Sequence, residues 1–88
     1  MKLKYKFIVR NVAGSAVALA VGEDNQKFNG MIKLNSVGEF IFKLLENDMT
    51  LEGIISEITD KYEVTAEDAK ESVVAFLDVL RQNDVIEE

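Results

Sequence analysis

Apolar and polar residues alternate with a period of two along the first third of the chain. The first run alternates lysines with an apolar set made up of Leu3, Tyr5, Phe7 and Val9. This alternation is typical of a half-buried β-strand. A second run at about residues 16–21 alternates valine and leucine with alanine, and a third at about residues 28–34 places Ile32 and Leu34 on one face and Met31 and Lys33 on the other. Short turn segments at 13–15 and 22–25 separate the runs. The pattern predicts a three-stranded antiparallel meander at about residues 3–34.

From residue 36 the apolar positions recur every three or four residues, which is typical of helices. Each of three such segments begins with a residue that favours helix N-caps: Asn35 or Ser36, then Thr50, then Thr65. Asn47 is expected to end the first helix in the left-handed conformation. The apolar face of the last helix consists of Ala66, Ala69, Val73, Phe76, Leu77 and Leu80, and Val85 and Ile86 follow as a short apolar tail.

These patterns predict an α+β fold in which a three-stranded antiparallel sheet precedes three helices at about residues 36–83. At 88 residues, the sequence is expected to form one domain spanning residues 1–88. Strands followed by three helices, with a short turn before the last, suggest a winged helix-turn-helix-like arrangement.

Composition then removes several classes of function. The sequence has no Cys and no His, which excludes disulfide frameworks, zinc sites with Cys or His ligands, and catalytic triads that need imidazole. We therefore predict no cofactor, no metal and no enzymatic activity. A small chain without disulfides fits a reducing environment, so a cytoplasmic location is expected.

Charge is divided unevenly between the two halves. Residues 1–34 carry a net charge of +4 and residues 35–88 carry −10, within a total of −6. DNA binding through the last helix would need clustered cations, but that helix carries Lys70 and Arg81 against four acids: Glu67, Asp68, Glu71 and Asp78. No nucleic-acid partner is therefore expected. The three acids near its start are typical of a helix N-terminus rather than of a catalytic cluster.

Two further alternatives are less consistent with the sequence. Residues 1–22 imitate a signal peptide, but Arg10 and Asn11 interrupt the apolar run, and no segment is long enough to span a bilayer, so no membrane partner is expected. Ser36 at a helix start is similar to the modified serine of acyl carrier proteins. However, Asn35 stands where those proteins usually have an acid, and strands replace their first helix.

The third predicted strand is a candidate binding edge. Residues 29–33 contain no Pro, and Lys33 is their only charged residue. Gly30 has no side chain, so another backbone could approach closely there. These are the requirements for β-augmentation, in which an extended peptide joins a sheet as an extra strand.

The last helix offers a second candidate surface. At 100° per residue, Lys70, Arg81 and Val74 lie about 20° to 60° to one side of Leu77. If this helix packs beside the third strand, Val74, Leu77, Lys70 and Arg81 would line a groove with Met31 and Lys33. Alternatively, Val74 widens the core face and the two cations are simply solvated. Pattern alone leaves both interpretations open.

The sequence resembles the coenzyme PQQ synthesis protein D family over about residues 5 to 86. The residues that carry the resemblance are Phe28-Asn29-Gly30-Met31-Ile32-Lys33-Leu34-Asn35, then Gly38, Ile41, Leu44-Leu45, Thr50, Ile54-Ile55, Ile58 and Tyr62, and later Val73, Phe76-Leu77, Leu80 and Asp84-Val85-Ile86. Asn47-Asp48 replaces the Gly that commonly ends the family's first helix, and Phe42 stands at a position often held by Trp.

The resemblance implies a function as well as a fold. Members of the family are similar to the RiPP recognition element, which binds the leader of a ribosomally made precursor peptide as a strand. They present that peptide to a modifying enzyme, often a radical SAM enzyme. By position, the implied peptide-binding residues are Gly30, Met31, Ile32, Lys33, Lys70, Val74, Leu77 and Arg81.

Expectations about function and oligomeric state complete the prediction. The chain is expected to be a non-catalytic peptide chaperone in PQQ or another RiPP pathway. The alternative is a winged-helix regulatory domain that binds protein or DNA. The exposed third strand could also pair with a second copy of itself, so the chain is expected to be a monomer or an edge-strand homodimer.

Overall fold

The computed structural model describes residues 1–24, 28 and 30–88. The predicted turn residue Asn25 and the predicted edge residue Asn29 lie outside this described part. The elements follow in the order β1 (Lys2–Leu3), β2 (Phe7–Val12), β3 (Ser15–Ala20), β4 (Met31–Leu34), α1 (Ser36–Leu44), α2 (Leu51–Lys61), α3 (Ala66–Gln82) and β5 (Ile86–Glu87). The fold is therefore α+β, as predicted.

The main sheet is the predicted antiparallel meander, with strand order β2-β3-β4. Its register pairs Val9 with Ala18 and Ala18 with Ile32. Residues in one cross-strand row point to the same face of a sheet. Because Ala18 and Ile32 belong to the core packed against the helices, this row defines the inner face.

The single first strand predicted for residues 3–9 is wrong, because the chain forms two short strands there. β1 pairs with β5 in a separate two-stranded sheet, Lys2 opposite Glu87 and Leu3 opposite Ile86, whereas β2 pairs with β3. Between them, Lys4 donates its backbone N–H to the Val85 carbonyl at 2.8 Å. The alternation of apolar and polar side chains continues from β1 into β2. The sequence pattern therefore does not indicate that the two strands pair with different partners.

A tight hairpin joins β2 to β3 at the predicted turn. Val12 pairs with Ser15, and the two residues between them, Ala13 and Gly14, have φ angles of +52° and +83°. Positive φ at both central positions is typical of a type I′ turn, whose twist matches that of the flanking strands. Gly14 adopts this conformation without steric cost, whereas Ala13 does not.

All three helices begin at the predicted N-caps. The side chains of Asn35, Thr50 and Thr65 accept hydrogen bonds from the backbone N–H three residues later, at 2.7, 3.0 and 3.1 Å. Asn35, rather than Ser36, is the first cap. The expectation for Asn47 is wrong: α1 ends at a Leu45 cap in the right-handed region, and Asn47 is not among the residues with positive φ.

The core lies between the inner face of the main sheet and the three helices. The largest fully buried side chains are Phe42, Ile41, Leu45, Ile54, Leu77, Leu80, Val73 and Val85. The apolar spacing of the sequence predicts a stripe for α1 made up of Val37, Phe40, Ile41, Leu44 and Leu45. Phe42 lies outside this stripe, and its ring packs edge-on to Phe7 at a centroid distance of 5.2 Å. No helix in the described part of the chain is long and apolar enough to cross a membrane.

Candidate functional site

β4 is an edge strand of the main sheet. β3 pairs with one side of it, and no strand in the described part of the chain pairs with the other. The inner side chains Ile32 and Leu34 are buried, whereas Met31 and Lys33 are exposed on the opposite face, as predicted. The open edge therefore offers backbone N–H and C=O groups, with an exposed thioether and an exposed ammonium beside them.

Gly30 precedes β4 and keeps the approach to this edge open. It is exposed, and a Cβ added there would meet only the ring of Phe28, at 3.9 Å. A second backbone could thus come close to the edge at this residue without displacing a side chain.

A cleft lies between α1 and α3, directly after β4. Its volume is about 380 Å³, and its lining is Asn35, Val37, Gly38, Ile41, Ser72, Ala75, Phe76 and Val79. Gly38 allows the two helices to approach, because a Cβ there would lie 3.1 Å from the Phe76 ring. The cleft is mostly apolar, so it suits an apolar side chain more than a charged one.

The predicted helix residues lie on the other side of α3. Lys70, Val74 and Arg81 are exposed, and none of them lines the cleft. Leu77 is 1% exposed and belongs to the core cluster, so it lies beneath the surface instead of on a groove wall.

The cleft side of α3 is separated from Val74 by most of a half-turn. At 100° per residue, Phe76 and Val79 lie about 100° and 160° from Leu77, in the direction opposite to Val74. Phe76, predicted to belong to the core face, is half-buried, and Val79, for which no role was predicted, is 43% exposed. Val79 interrupts the polar face of α3, and that is the signal that could have identified this side.

Arg81 is already engaged within the chain. Its guanidinium donates to both carboxylate oxygens of Glu88, at 3.0 and 2.8 Å, and to Asp78 at 3.0 Å. The hydrogen bonds with Glu88 raise the pKa of Arg81 above its usual range and lower the pKa of Glu88. By contrast, neither Lys33 nor Lys70 forms an ion pair with a described residue.

A polar pocket of about 510 Å³ lies at the same end of β4 and shares Asn35 with the cleft. Lys33, Ser36 and Glu39 line it, together with Asn11 and Ser15 of the β2–β3 hairpin. Glu39 also pairs with Lys43 at 3.0 Å. A peptide that followed β4 past Leu34 would therefore lie close to both the apolar cleft and these polar groups.

Nothing in the described part of the chain resembles a metal centre, since no cluster of three or more potential ligands is present there. The described side chains also contain no buried polar atom without a hydrogen-bond partner. The arrangement as described offers surfaces for binding: an open strand edge, an apolar cleft and a polar pocket.

Comparisons with known proteins agree with this architecture. The family model of coenzyme PQQ synthesis protein D matches residues 15–86. The structure of TbiB1 in complex with the TbiA(beta) leader peptide has a similar fold, with a TM-score of 0.76 and 23% identity over 99% of this chain and 95% of that one. Lasso peptide synthetase B1 complexed with the leader peptide is also similar, with a TM-score of 0.71 and 21% identity over 99% and 96%. No curated protein sequence matches the chain.

Proposed function

The chain belongs to the coenzyme PQQ synthesis protein D family, and from that premise we propose that it binds the leader of a ribosomally made precursor peptide by β-strand addition. The open edge of β4 beside an apolar cleft is the observation that carries this proposal. Two proteins of similar fold are described in complex with leader peptides, which supports a leader peptide as the ligand.

In this proposal the leader pairs with residues 30–34. Main-chain hydrogen bonds to β4 supply affinity without regard to sequence, and pockets for alternate side chains supply specificity. Gly30 admits the peptide backbone, and Ile32 takes part through its backbone because its side chain is buried. Lys33 is exposed beside the added strand and favours an acidic side chain there.

For the helix side of the groove, we propose that Phe76 and Val79 receive an apolar anchor of the leader. This assignment rests on their position in the cleft that begins at Asn35, where β4 ends. The side formed by Lys70, Val74 and Arg81 is the competing assignment. It would require Arg81 to exchange Glu88 for an acid of the leader.

The chain itself has no catalytic role in this proposal. We infer that residues 1–88 act as one domain of winged helix-turn-helix type that presents the bound leader to a modifying enzyme, radical SAM or other, in the cytoplasm. The chain acts as a monomer or as a dimer paired through the β4 edge. Dimer formation would compete with the leader, because both would occupy the same edge.

The proposal is tested by titrating the ¹⁵N-labelled chain with a synthetic leader of its cognate precursor peptide. We expect the largest amide shift changes at residues 30–34 and at Phe76 and Val79. Shift changes confined to β2 and β3 would contradict strand addition to β4. A parallel titration with duplex DNA at moderate salt is expected to leave the spectrum unchanged, since α3 is net negative.

A further inference from the structure

The main sheet has a second face, which points away from the helices. Two cross-strand rows form it: Ile8, Leu19 and Met31 in one, and Arg10, Val17 and Lys33 in the next. We call these six residues, with Val12 at the hairpin, the outer sheet face. None of them belongs to the core cluster that packs against the helices.

This outer sheet face is apolar and accessible at both ends. Val12 is 51% exposed and Met31 is 58% exposed. Ile8 and Leu19, in the same row as Met31, are partly exposed. Val17, flanked on both sides by the longer side chains of Arg10 and Lys33, is 2% exposed. An apolar stripe of this kind, bordered by polar groups, is typical of an interaction site.

Both charged residues of the outer sheet face are positive. Arg10 and Lys33 flank the apolar stripe, and the face carries no acid. Neither cation forms an ion pair with a described residue. In a two-fold dimer through this face, the cations of both copies would meet with no carboxylate between them. The face is therefore complementary to a different protein, one that presents apolar side chains rimmed by carboxylates.

We propose that the outer sheet face binds the peptide-modifying enzyme, an inference that rests on the proposed function. A strand added to β4 would continue the pleat of the sheet, so alternate leader side chains would lie beside Met31 and Lys33 on the same face. The enzyme then contacts the chain and the leader together. Binding of the leader and binding of the enzyme strengthen each other as a result.

The test uses the purified cognate modifying enzyme, with its affinity for the chain measured by calorimetry with and without saturating leader. We expect leader to tighten enzyme binding at least threefold. Val12→Glu and Arg10→Glu are each expected to weaken enzyme binding tenfold or more, while changing leader affinity less than twofold. Both residues are exposed, and circular dichroism checks that each variant folds.

Two matched controls lie outside the outer sheet face. Val64→Glu introduces the same charge at a residue that is 43% exposed between α2 and α3, and Lys2→Glu reverses an exposed cation on β1. Both are expected to leave enzyme affinity within twofold of the wild type. Losses in the controls as large as those at Val12 and Arg10 would overturn the proposal, because they would report a nonspecific effect of charge.

Three other outcomes would also overturn it. The first is enzyme affinity unchanged by both Val12→Glu and Arg10→Glu. The second is sedimentation showing that these variants convert a dimer into a monomer, which would make a second copy the occupant. The third is no enzyme binding by the wild-type chain in either condition. Leader titration of the chain alone separates these results from failure of the proposed function, which would abolish leader binding itself.

Discussion

At the scale of single residues, Val74 and Val79 distinguish the two possible groove walls of α3. They are similar in chemistry and exposure, at 36% and 43%, but lie on opposite sides of the buried stripe. A substitution at either one should therefore affect folding equally little and peptide binding very differently.

We expect Val79→Asp to weaken leader binding tenfold or more, which corresponds to about 1.4 kcal/mol. A carboxylate in the apolar cleft would have to be desolvated when an apolar anchor enters. Val74→Asp is the matched control and is expected to change the affinity less than twofold. Fluorescence polarisation with labelled leader measures both. The reverse order of effects would assign the groove to the side of Lys70, Val74 and Arg81.

Asp84 is a second position where one residue determines local structure. It follows the cap of α3 with a φ of +55°, and its N–H and that of Val85 donate to the carbonyls of Arg81 and Leu80. This is the Schellman arrangement, which usually places Gly in the left-handed position. Asp tolerates that conformation, and its carboxylate also pairs with Lys4 at 2.9 Å.

Replacing Asp84 separates the backbone effect from the ion pair. Asp84→Gly and Asp84→Ala both remove the pair with Lys4, but only Ala retains the steric cost of positive φ. We expect the Ala variant to unfold with a free energy lower than that of the Gly variant by about 1 kcal/mol. Urea denaturation measures the difference in unfolding free energy. Equal stabilities of the Gly and Ala variants would mean that residue 84 does not maintain the left-handed conformation.

At the scale of elements, local patterns predicted what depends on neighbours in sequence. The three caps, the turn at Ala13-Gly14 and the β2-β3-β4 meander were predicted because each depends on a few adjacent residues. The pairing of β1 with β5 was missed because the two strands are at opposite ends of the chain. A two-residue strand also contains too few positions for a period to be recognised.

The candidate site shows the same division. The β4 edge and its alternation follow from the sequence alone, since they depend on one strand. Which side of α3 lines the cleft depends on how α1 and α3 are rotated relative to each other. A helical wheel of α3 alone does not give this rotation. Gly38 contributes to this packing, because its missing side chain lets Phe76 lie against α1.

At the scale of the whole molecule, charge is segregated along the chain. The sheet half carries +4 and the helical half −10. The outer sheet face lies in the positive half, whereas repulsion among carboxylates is concentrated in the helices. The ion pairs of the described residues are all at least partly exposed, so they offset little of this repulsion.

Salt should therefore stabilise the fold. Raising sodium chloride from about 0.01 to 0.3 M shortens the Debye length from about 30 Å to under 10 Å and screens repulsion in the helical half. We expect the thermal midpoint to rise by a few degrees, about 1 kcal/mol or less for a domain of this size. Calorimetry measures the midpoint, and potassium chloride should act equally. A falling midpoint would mean that attractive pairs dominate.

The β1–β5 pairing also affects the order in which the strands form during folding. Lys2 pairs with Glu87 although nearly the whole sequence separates them. The strands of the main sheet and the three helices form from segments much closer in sequence. Closing so long a loop costs entropy that only the packed core can offset. During synthesis, β1 therefore cannot pair with β5 until Ile86–Glu87 have been made. The β4 edge can form earlier, so the strand proposed to bind the leader precedes the pairing of β1 with β5.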